Sequence, residues 1–205
     1  MLTYSIVQKR CAKHFVPLYL QAHSQSMTTP DQLQKLKFPI GTFNAGMDFS
    51  KDQLAGLIKI IEEIPAKYRV VAKGLSEKDL KKTYREGAWN VQQLVNHVAD
   101  MQVLHFFRMK SALTEPDYKN VTLVNIPGWA STADGLTSPV ADSIELMEGI
   151  NKRFVFLMKS LTEQQLDVTY FHPLRKETFN QRRAIALTAW HVQHHLEHIK
   201  IALAN

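Results

Sequence analysis

Four stretches of the sequence, each about 20 residues long, repeat apolar residues at the three- and four-residue spacing of an amphipathic α-helix. Ser50 and Asn90 each precede such a stretch and are followed three residues later by glutamine, which predicts a capping box at the start of a helix. Ser138 with Pro139 in the first turn predicts the start of another long helix. Asn180 predicts the start of the last one.

The rest of the pattern favours an all-α protein, because no stretch shows the sustained alternation of a half-buried strand. Four long amphipathic helices joined by loops are typical of a four-helix bundle. A shorter helix is expected to begin at Ser76. The connection over residues 114–137, between the second and third long helices, is too long for a tight turn. We therefore expect residues 31–205 to form one helical-bundle domain with a long loop.

The first 30 residues differ from the rest, since they contain three basic residues and no acidic residue. They make a poor secretory signal, because the apolar part, Phe15–Leu20, is short and contains Pro17. We expect residues 1–30 to be a disordered leader or a misassigned start, with Met27 as an alternative first residue.

Composition narrows the class of protein. The single cysteine, Cys11, permits no internal disulfide and no cysteine-ligated structural zinc site, and it fits a reducing cytoplasm. No run approaches the roughly 18 apolar residues of a membrane span. The net charge of +6 is not concentrated in a lysine and arginine stripe, so nucleic-acid binding is not expected.

The nine histidines concentrate in the second and fourth predicted helices. His191 and His195 are four residues apart, so their imidazoles lie on one helix face and can bind one metal ion. His194 and His198 form a second pair with the same spacing. A helical projection places His195 beside the apolar stripe of its helix and His191 slightly further round, whereas His194 falls on the far side. The projection therefore favours the pair His191 and His195.

A third ligand is expected from the other histidine-bearing helix. His97 lies between Leu94 and Met101 and therefore faces inward, and His105 is the fallback. Three imidazoles with a fourth position open are a common catalytic zinc arrangement, and nickel is the alternative ion. The competing interpretation is that these histidines are hydrogen-bonded core residues without a metal.

Several motifs occur in the order typical of one enzyme family. They are LKFPIGTF (Leu36–Phe43), WNVQQLVNHVAD (Trp89–Asp100), FRMKSALTE (Phe107–Glu115), Trp129–Ala130, His172–Pro173 and WHVQHHLEHI (Trp190–Ile199). Together they resemble the YfiT branch of the DinB-like metal-dependent enzymes, which includes bacillithiol transferases. The resemblance runs from about Leu36 to Ile199.

The resemblance implies a four-helix bundle whose metal ligands fall on His97, His191 and His195. Two pairs depart from the family pattern. Asn96–His97 stands where the family has two histidines, and Met101–Gln102 stands where it has serine and histidine. The resemblance therefore defines the metal site better than it defines the substrate.

The resemblance also implies a reaction, a thiol transfer that serves detoxification. A low-molecular-weight thiol such as bacillithiol would take the open position as a metal-bound thiolate and attack an electrophilic small molecule. One alternative is a hydrolase that uses a metal-bound hydroxide. Another is a stress protein that binds metal or a ligand without turnover. A homodimer would suit the family.

Three further residues are candidates for the lining of the pocket. Arg108 would bind the carboxylates that bacillithiol carries, and its alternative is a surface arginine. Asp100 would accept a hydrogen bond from a ligand imidazole, and its alternative is a solvent-facing or capping carboxylate. His172 would line the pocket, or it would simply mark a turn before Pro173.

Overall fold

The computed structural model describes residues 29–44, 46 and 48–205, so the leader expected over residues 1–30 lies almost entirely outside the described residues. In chain order the helices are α1 (Pro30–Lys37), α2 (Lys51–Ala72), α3 (Glu77–Leu80), α4 (Val91–Thr114), α5 (Ile126–Trp129), α6 (Ala133–Thr137), α7 (Val140–Ser160), α8 (Glu163–Leu166) and α9 (Gln181–Ala204). Strands β1 (Thr169–His172) and β2 (Glu177–Asn180) precede α9.

The four long helices α2, α4, α7 and α9 form a bundle, which confirms the predicted architecture. Helix α7 packs along α2 and α4, and α9 packs along the same two helices from the other side. Wholly buried apolar side chains such as Leu94, Val98 and Val192 fill the space between α4 and α9. The buried Tyr68 hydroxyl donates a hydrogen bond to the Val192 carbonyl at 2.9 Å and so ties α2 to α9. None of the described helices combines the length and the hydropathy needed to cross a bilayer.

The capping residues predicted from the sequence mark most of the starts of the long helices. Ser50 and Asn90 form the predicted capping boxes with the glutamines three residues on. The Asn180 side chain accepts a hydrogen bond from the backbone N–H of Arg183 at 2.9 Å and caps α9. Ser76 caps α3, which is a helix of only four residues.

The predicted role of Ser138 was wrong. Helix α7 begins one residue later than expected, at Val140, with Pro139 at its N-cap. The Ser138 hydroxyl instead donates to the carbonyl of Asp134 at 2.7 Å, so it completes the end of α6. A hydroxyl next to a helix end bonds a backbone group within its reach, and here that is a carbonyl in the last turn of the preceding helix, which also accepts from the backbone N–H of Ser138.

Two features were not expected from the sequence. The long connection after α4 contains α5 and α6, and α6 packs against α4. Strands β1 and β2 form an antiparallel hairpin in which Tyr170 pairs with Phe179. Lys176 lies in its turn with a φ of 55°. Strands of four residues are too short for an alternating pattern to stand out, and their burial patterns differ from one another.

Candidate metal centre

The structure brings the predicted histidine trio together at the interface of α4 and α9. The ring centroid of His97 lies 5.1 Å from that of His191 and 4.9 Å from that of His195, and the last two rings are 4.6 Å apart. Each imidazole offers one ring nitrogen, and these three nitrogens all lie within 4.8 Å of one another. Because α9 turns once between His191 and His195, one helix supplies two donors and α4 supplies the third.

The closest approach within the trio fits a shared divalent ion. Nε2 of His97 lies 3.1 Å from Nε2 of His191. Two ligands of a tetrahedral zinc ion with Zn–N bonds of roughly 2.0–2.1 Å lie about 3.3 Å apart. The Nδ1 of His191 is buried and has no hydrogen-bond partner within the described residues. Buried polar atoms of this kind are uncommon in stable cores and are more frequent in functional sites.

The electrostatics of the trio favour neutral imidazoles. Burial lowers the pKa of His97 from 6.5 to about 4. Burial, followed by repulsion from the neighbouring histidines, lowers the pKa values of His191 and His195 well below the usual range. At neutral pH the lone pairs of all three rings are therefore available, and a cation binds without displacing protons.

His105, the fallback ligand, lies beside the trio and does not belong to the group of converging nitrogens. Its Nδ1 is 3.1 Å from the Thr188 hydroxyl, which itself donates to the carbonyl of Ala184 at 2.9 Å. The hydroxyl has one hydrogen, so Nδ1 of His105 is the donor of the first bond. The His105 ring is 5.6 Å from the ring of His191. Burial and then the charge of Arg108 lower the pKa of His105 to about 3.

A second group of histidines shares one member with the trio. Nitrogens of His194, His195 and His198 also lie within 4.8 Å of one another. The His194 ring stacks on Trp190 at 4.3 Å, on the side of α9 that the projection predicted. The Nε2 of His198 lies 3.0 Å from the carbonyl oxygen of Leu36 in α1. One nitrogen of His198 is thus used by the backbone, so only its Nδ1 would be available to an ion in the second group.

Trp89 is a site residue that was not among those predicted from the sequence. Its ring lies 4.7 Å from the His97 ring and 6.5 Å from the His195 ring, so it covers one side of the trio. The available signal was the position of this tryptophan at the head of the α4 motif, just before the Asn90 cap.

Arg108 is buried at 7% exposure, so the alternative of a surface arginine was wrong. Its Nε and Nη2 donate to the carbonyl of Thr122 at 3.1 and 2.7 Å. In the described part of the chain no carboxylate lies within ion-pair distance of this guanidinium. A buried cation without an anionic partner is costly, which makes Arg108 a candidate for binding an anionic group of a ligand.

His172 ends β1 and marks the turn that follows, which is one of the two roles predicted for it, and the lining of the pocket stays a prediction. Its carbonyl accepts hydrogen bonds from the N–H groups of Arg175 and Lys176, so it marks the hairpin turn. Its side chain is buried, and its Nδ1 has no hydrogen-bond partner among the described residues. Burial, then Arg108 and Arg175, lower its pKa to about 4. We call Arg108, His172 and Arg175 the basic cluster.

Asp100 does not approach the imidazoles as predicted. No hydrogen bond joins it to a site histidine anywhere in the described ranges. Burial and then the charge of Asp134 raise its pKa to about 6. Asp134 belongs to α6, which covers this side of α4. A contact between Asp100 and a ligand imidazole of α9 would need α9 on the Asp100 side of α4, where α6 packs instead.

Comparison with known proteins agrees with this architecture. The family model described as the DinB superfamily matches residues 60–199. A candidate metal-dependent hydrolase of Oceanobacillus iheyensis is 38% identical over 170 residues, which cover 83% of this chain and 96% of that protein. YfiT of Bacillus subtilis, also a candidate metal-dependent hydrolase, is 32% identical over 164 residues, which cover 80% and 92%.

Two solved structures share the fold. The YfiT structure, described as an unusual four-helix bundle, superposes with a TM-score of 0.77 at 31% identity and covers 81% of this chain and 94% of that one. The mycothiol-dependent maleylpyruvate isomerase superposes with a TM-score of 0.57 at 16% identity over 71% of this chain and 60% of its own, a similarity of fold alone. The family match and these relatives show that the chain belongs to the DinB superfamily.

Proposed function

We propose that this protein is a metal-dependent thiol transferase that holds one divalent ion on His97, His191 and His195. The observation that carries the proposal is the 3.1 Å approach of the His97 and His191 Nε2 atoms, in an environment that keeps both rings neutral. The names of the relatives support metal-dependent chemistry. Zinc is the expected ion, and nickel is the alternative.

A divalent ion bound by three neutral imidazoles supplies Lewis acidity, which lowers the pKa of a coordinated thiol or water. The protein residues have separate tasks. The neutral trio leaves the positive charge of the ion undiminished, because no carboxylate belongs to the group. Trp89 covers one side of the rings and limits the approach of bulk water from there.

The basic cluster supports a thiol that carries an anionic group. Arg108 has no carboxylate partner in the described residues, and its charge acts on His105, whose ring lies beside His191. A carboxylate of the thiol would complete the pairing of this guanidinium by charge-assisted hydrogen bonds. Bacillithiol, which the family resemblance implies, has such carboxylates. The thiol would lose its proton to solvent on binding, and its sulfur would then attack a carbon of the electrophile. The new sulfur–carbon bond would replace the carbon–oxygen bond of an epoxide, whose oxygen takes up a proton from water, or the carbon–halogen bond of a halide, which leaves as the halide ion.

Hydrolysis is the second candidate function. It is favoured by the names of the relatives, which are candidate metal-dependent hydrolases. The same trio would then serve a water nucleophile, and the basic cluster would bind an anionic substrate in place of an anionic thiol. The two reactions differ in whether a thiol is consumed.

The test is to reconstitute the purified protein with zinc or nickel and to follow free thiol with a chromogenic reagent. Bacillithiol or cysteine would be supplied with an epoxide or an aryl halide, in parallel with His195→Ala and the neighbouring variant His194→Ala. We expect thiol loss that requires metal, electrophile and His195 but tolerates His194→Ala. Release of acid from an ester or amide without loss of thiol would show that the protein is a hydrolase and not a thiol transferase. One bound ion without either reaction would mean a binding protein and would overturn the proposal.

A further inference from the structure

We propose that His198 is a positioning residue that sets the tautomer of His195, through a hydrogen-bonded relay from the end of α1 to the metal centre. The relay consists of the Leu36 carbonyl, His198 and His195. This inference rests on the proposed role of His195 as a metal ligand. The relay adds His198, which is not one of the three proposed ligands. It also connects the metal centre to α1, which lies outside the four-helix bundle.

The first bond of the relay assigns the hydrogen on His198. Its Nε2 lies 3.0 Å from the carbonyl oxygen of Leu36 and 3.3 Å from that of Lys37. Both residues belong to the last turn of α1, where carbonyls have no partner within the helix. A carbonyl oxygen only accepts hydrogen bonds, so Nε2 of His198 carries the hydrogen.

The second bond follows from the environment of the His198 ring. His198 is 2% exposed, and its ring stacks on Tyr84 with centroids 3.9 Å apart and planes 12° apart. No carboxylate forms an ion pair with His198 in the described part of the chain, so no negative charge compensates the burial of a doubly protonated ring. With Nε2–H as its only donor, neutral His198 has Nδ1 as an acceptor.

The acceptor of His198 faces the matching atom of His195. The two Nδ1 atoms lie 3.4 Å apart. A lone pair on each would repel, so Nδ1 of His195 carries the hydrogen and donates it to His198. His195 then has its lone pair on Nε2. This is the same atom through which His97 and His191 approach each other.

The relay therefore selects the tautomer of His195 before any metal arrives. The other tautomer would carry its hydrogen on Nε2 and would have to rearrange before that atom could bind an ion. Hydrogen bonds that orient a ligand imidazole in this way change metal affinity by about 10–100-fold. Because the relay begins in α1, docking of α1 and binding of the metal should strengthen each other.

Metal binding by the second histidine group would lead to the opposite results. If an ion were bound by His194, His195 and His198, the Nδ1 atoms of His195 and His198 would both face the ion without a hydrogen between them. His194 would be needed and His97 would not. The tautomer of His195 and the effect of changing His194 thus separate the two arrangements.

The experiment compares His198→Phe with His198→Asn and with the control His194→Phe. Phenylalanine preserves a flat ring against Tyr84 but removes both hydrogen bonds, whereas the asparagine oxygen can replace Nδ1 as the acceptor. Zinc affinity is measured by competition with a chromophoric chelator. The His195 tautomer is read in the metal-free protein by long-range ¹H–¹⁵N correlation, and circular dichroism checks the helices.

We expect His198→Phe to weaken zinc binding by about 10–100-fold, His198→Asn to recover most of the loss, and His194→Phe to bind like the wild type. Wild-type His195 should show the hydrogen on Nδ1 and lose that preference in His198→Phe. If His198→Phe does not fold, the His195 tautomer of the wild type and the zinc affinity of His198→Asn still test the relay.

Two results would overturn the relay, namely hydrogen on Nε2 of wild-type His195, or wild-type zinc affinity in folded His198→Phe. Loss of zinc in His194→Phe with retention in His97→Ala would assign the metal to the second group. Neither readout requires turnover, so an intact relay without thiol transfer would refute the proposed reaction alone.

Discussion

His97 and His191 are 94 positions apart in the chain, and their Nε2 atoms lie 3.1 Å apart across the interface of α4 and α9. The distance suits two ligands of one ion, and both nitrogens are provided by rings whose pKa values are lowered by burial. This contact is the centre of the proposed metal site.

Replacing His191 by alanine should abolish stable metal binding. The variant leaves two imidazoles, and we expect the zinc affinity to fall by at least about 100-fold, because a second-sphere change alone costs 10–100-fold. Metal content by elemental analysis after dialysis measures the effect, and His194→Ala is the matched control on the same helix. Retention of one ion per chain in His191→Ala would rule out the trio as the metal site.

The metal-free protein should lose stability as the pH falls from about 6.5 to about 4. The pKa values of His97 and His172 are about 4 in the folded protein, against 6.5 for an ordinary histidine, so only the unfolded chain takes up protons in this window. Each such group lowers the free energy of unfolding by up to about 1.4 kcal/mol per pH unit. Asp100, with a raised pKa of about 6, acts in the opposite direction but is a single group.

Urea unfolding of the metal-free protein at several pH values between 4.5 and 7.5 tests this dependence. The variant His97→Gln, which cannot titrate at this position, should show a shallower loss of stability. An unfolding free energy that stays constant or rises on acidification would show that these histidines are not held in the neutral form.

Replacing Arg108 by methionine should selectively weaken binding of an anionic thiol. The guanidinium is buried and without a carboxylate partner in the described residues, so the substitution removes the charge that the proposed function assigns to ligand binding. We expect KM for a carboxylate-bearing thiol to rise about tenfold, which corresponds to about 1.4 kcal/mol, while KM for 2-mercaptoethanol changes little. Equal effects on both thiols would indicate a structural role for Arg108.

Replacing Asp100 by asparagine should leave metal content unchanged and stabilise the protein above pH 6. Burial and the neighbouring Asp134 disfavour the charged carboxylate, as its pKa of about 6 shows. After allowance for solvent screening the gain is expected to be at most about 1 kcal/mol at pH 7.5, and it should vanish near pH 4. Thermal unfolding at both pH values measures it. Loss of metal in this variant would indicate that Asp100 does contact a ligand imidazole, as predicted from the sequence.

The sequence by itself determined the local features of this protein. The capping boxes at Ser50 and Asn90 depend on residues three positions apart, and the shared face of His191 and His195 depends on one turn of α9. Such features are set by the geometry of the helix, whatever it packs against. The inward position of His97 followed in the same way from its apolar neighbours on α4.

The tertiary structure decided which segment of the chain packs against each of these helix faces. The charge of Asp134 acts on Asp100 because α6 packs against α4, and Ser138 bonds to the end of α6 rather than starting α7. The contact of His198 with Leu36 depends on how α1 docks, 162 positions away in the chain. Contacts of this kind result from packing between segments far apart in sequence, and periodicity within one helix contains no information about its neighbours.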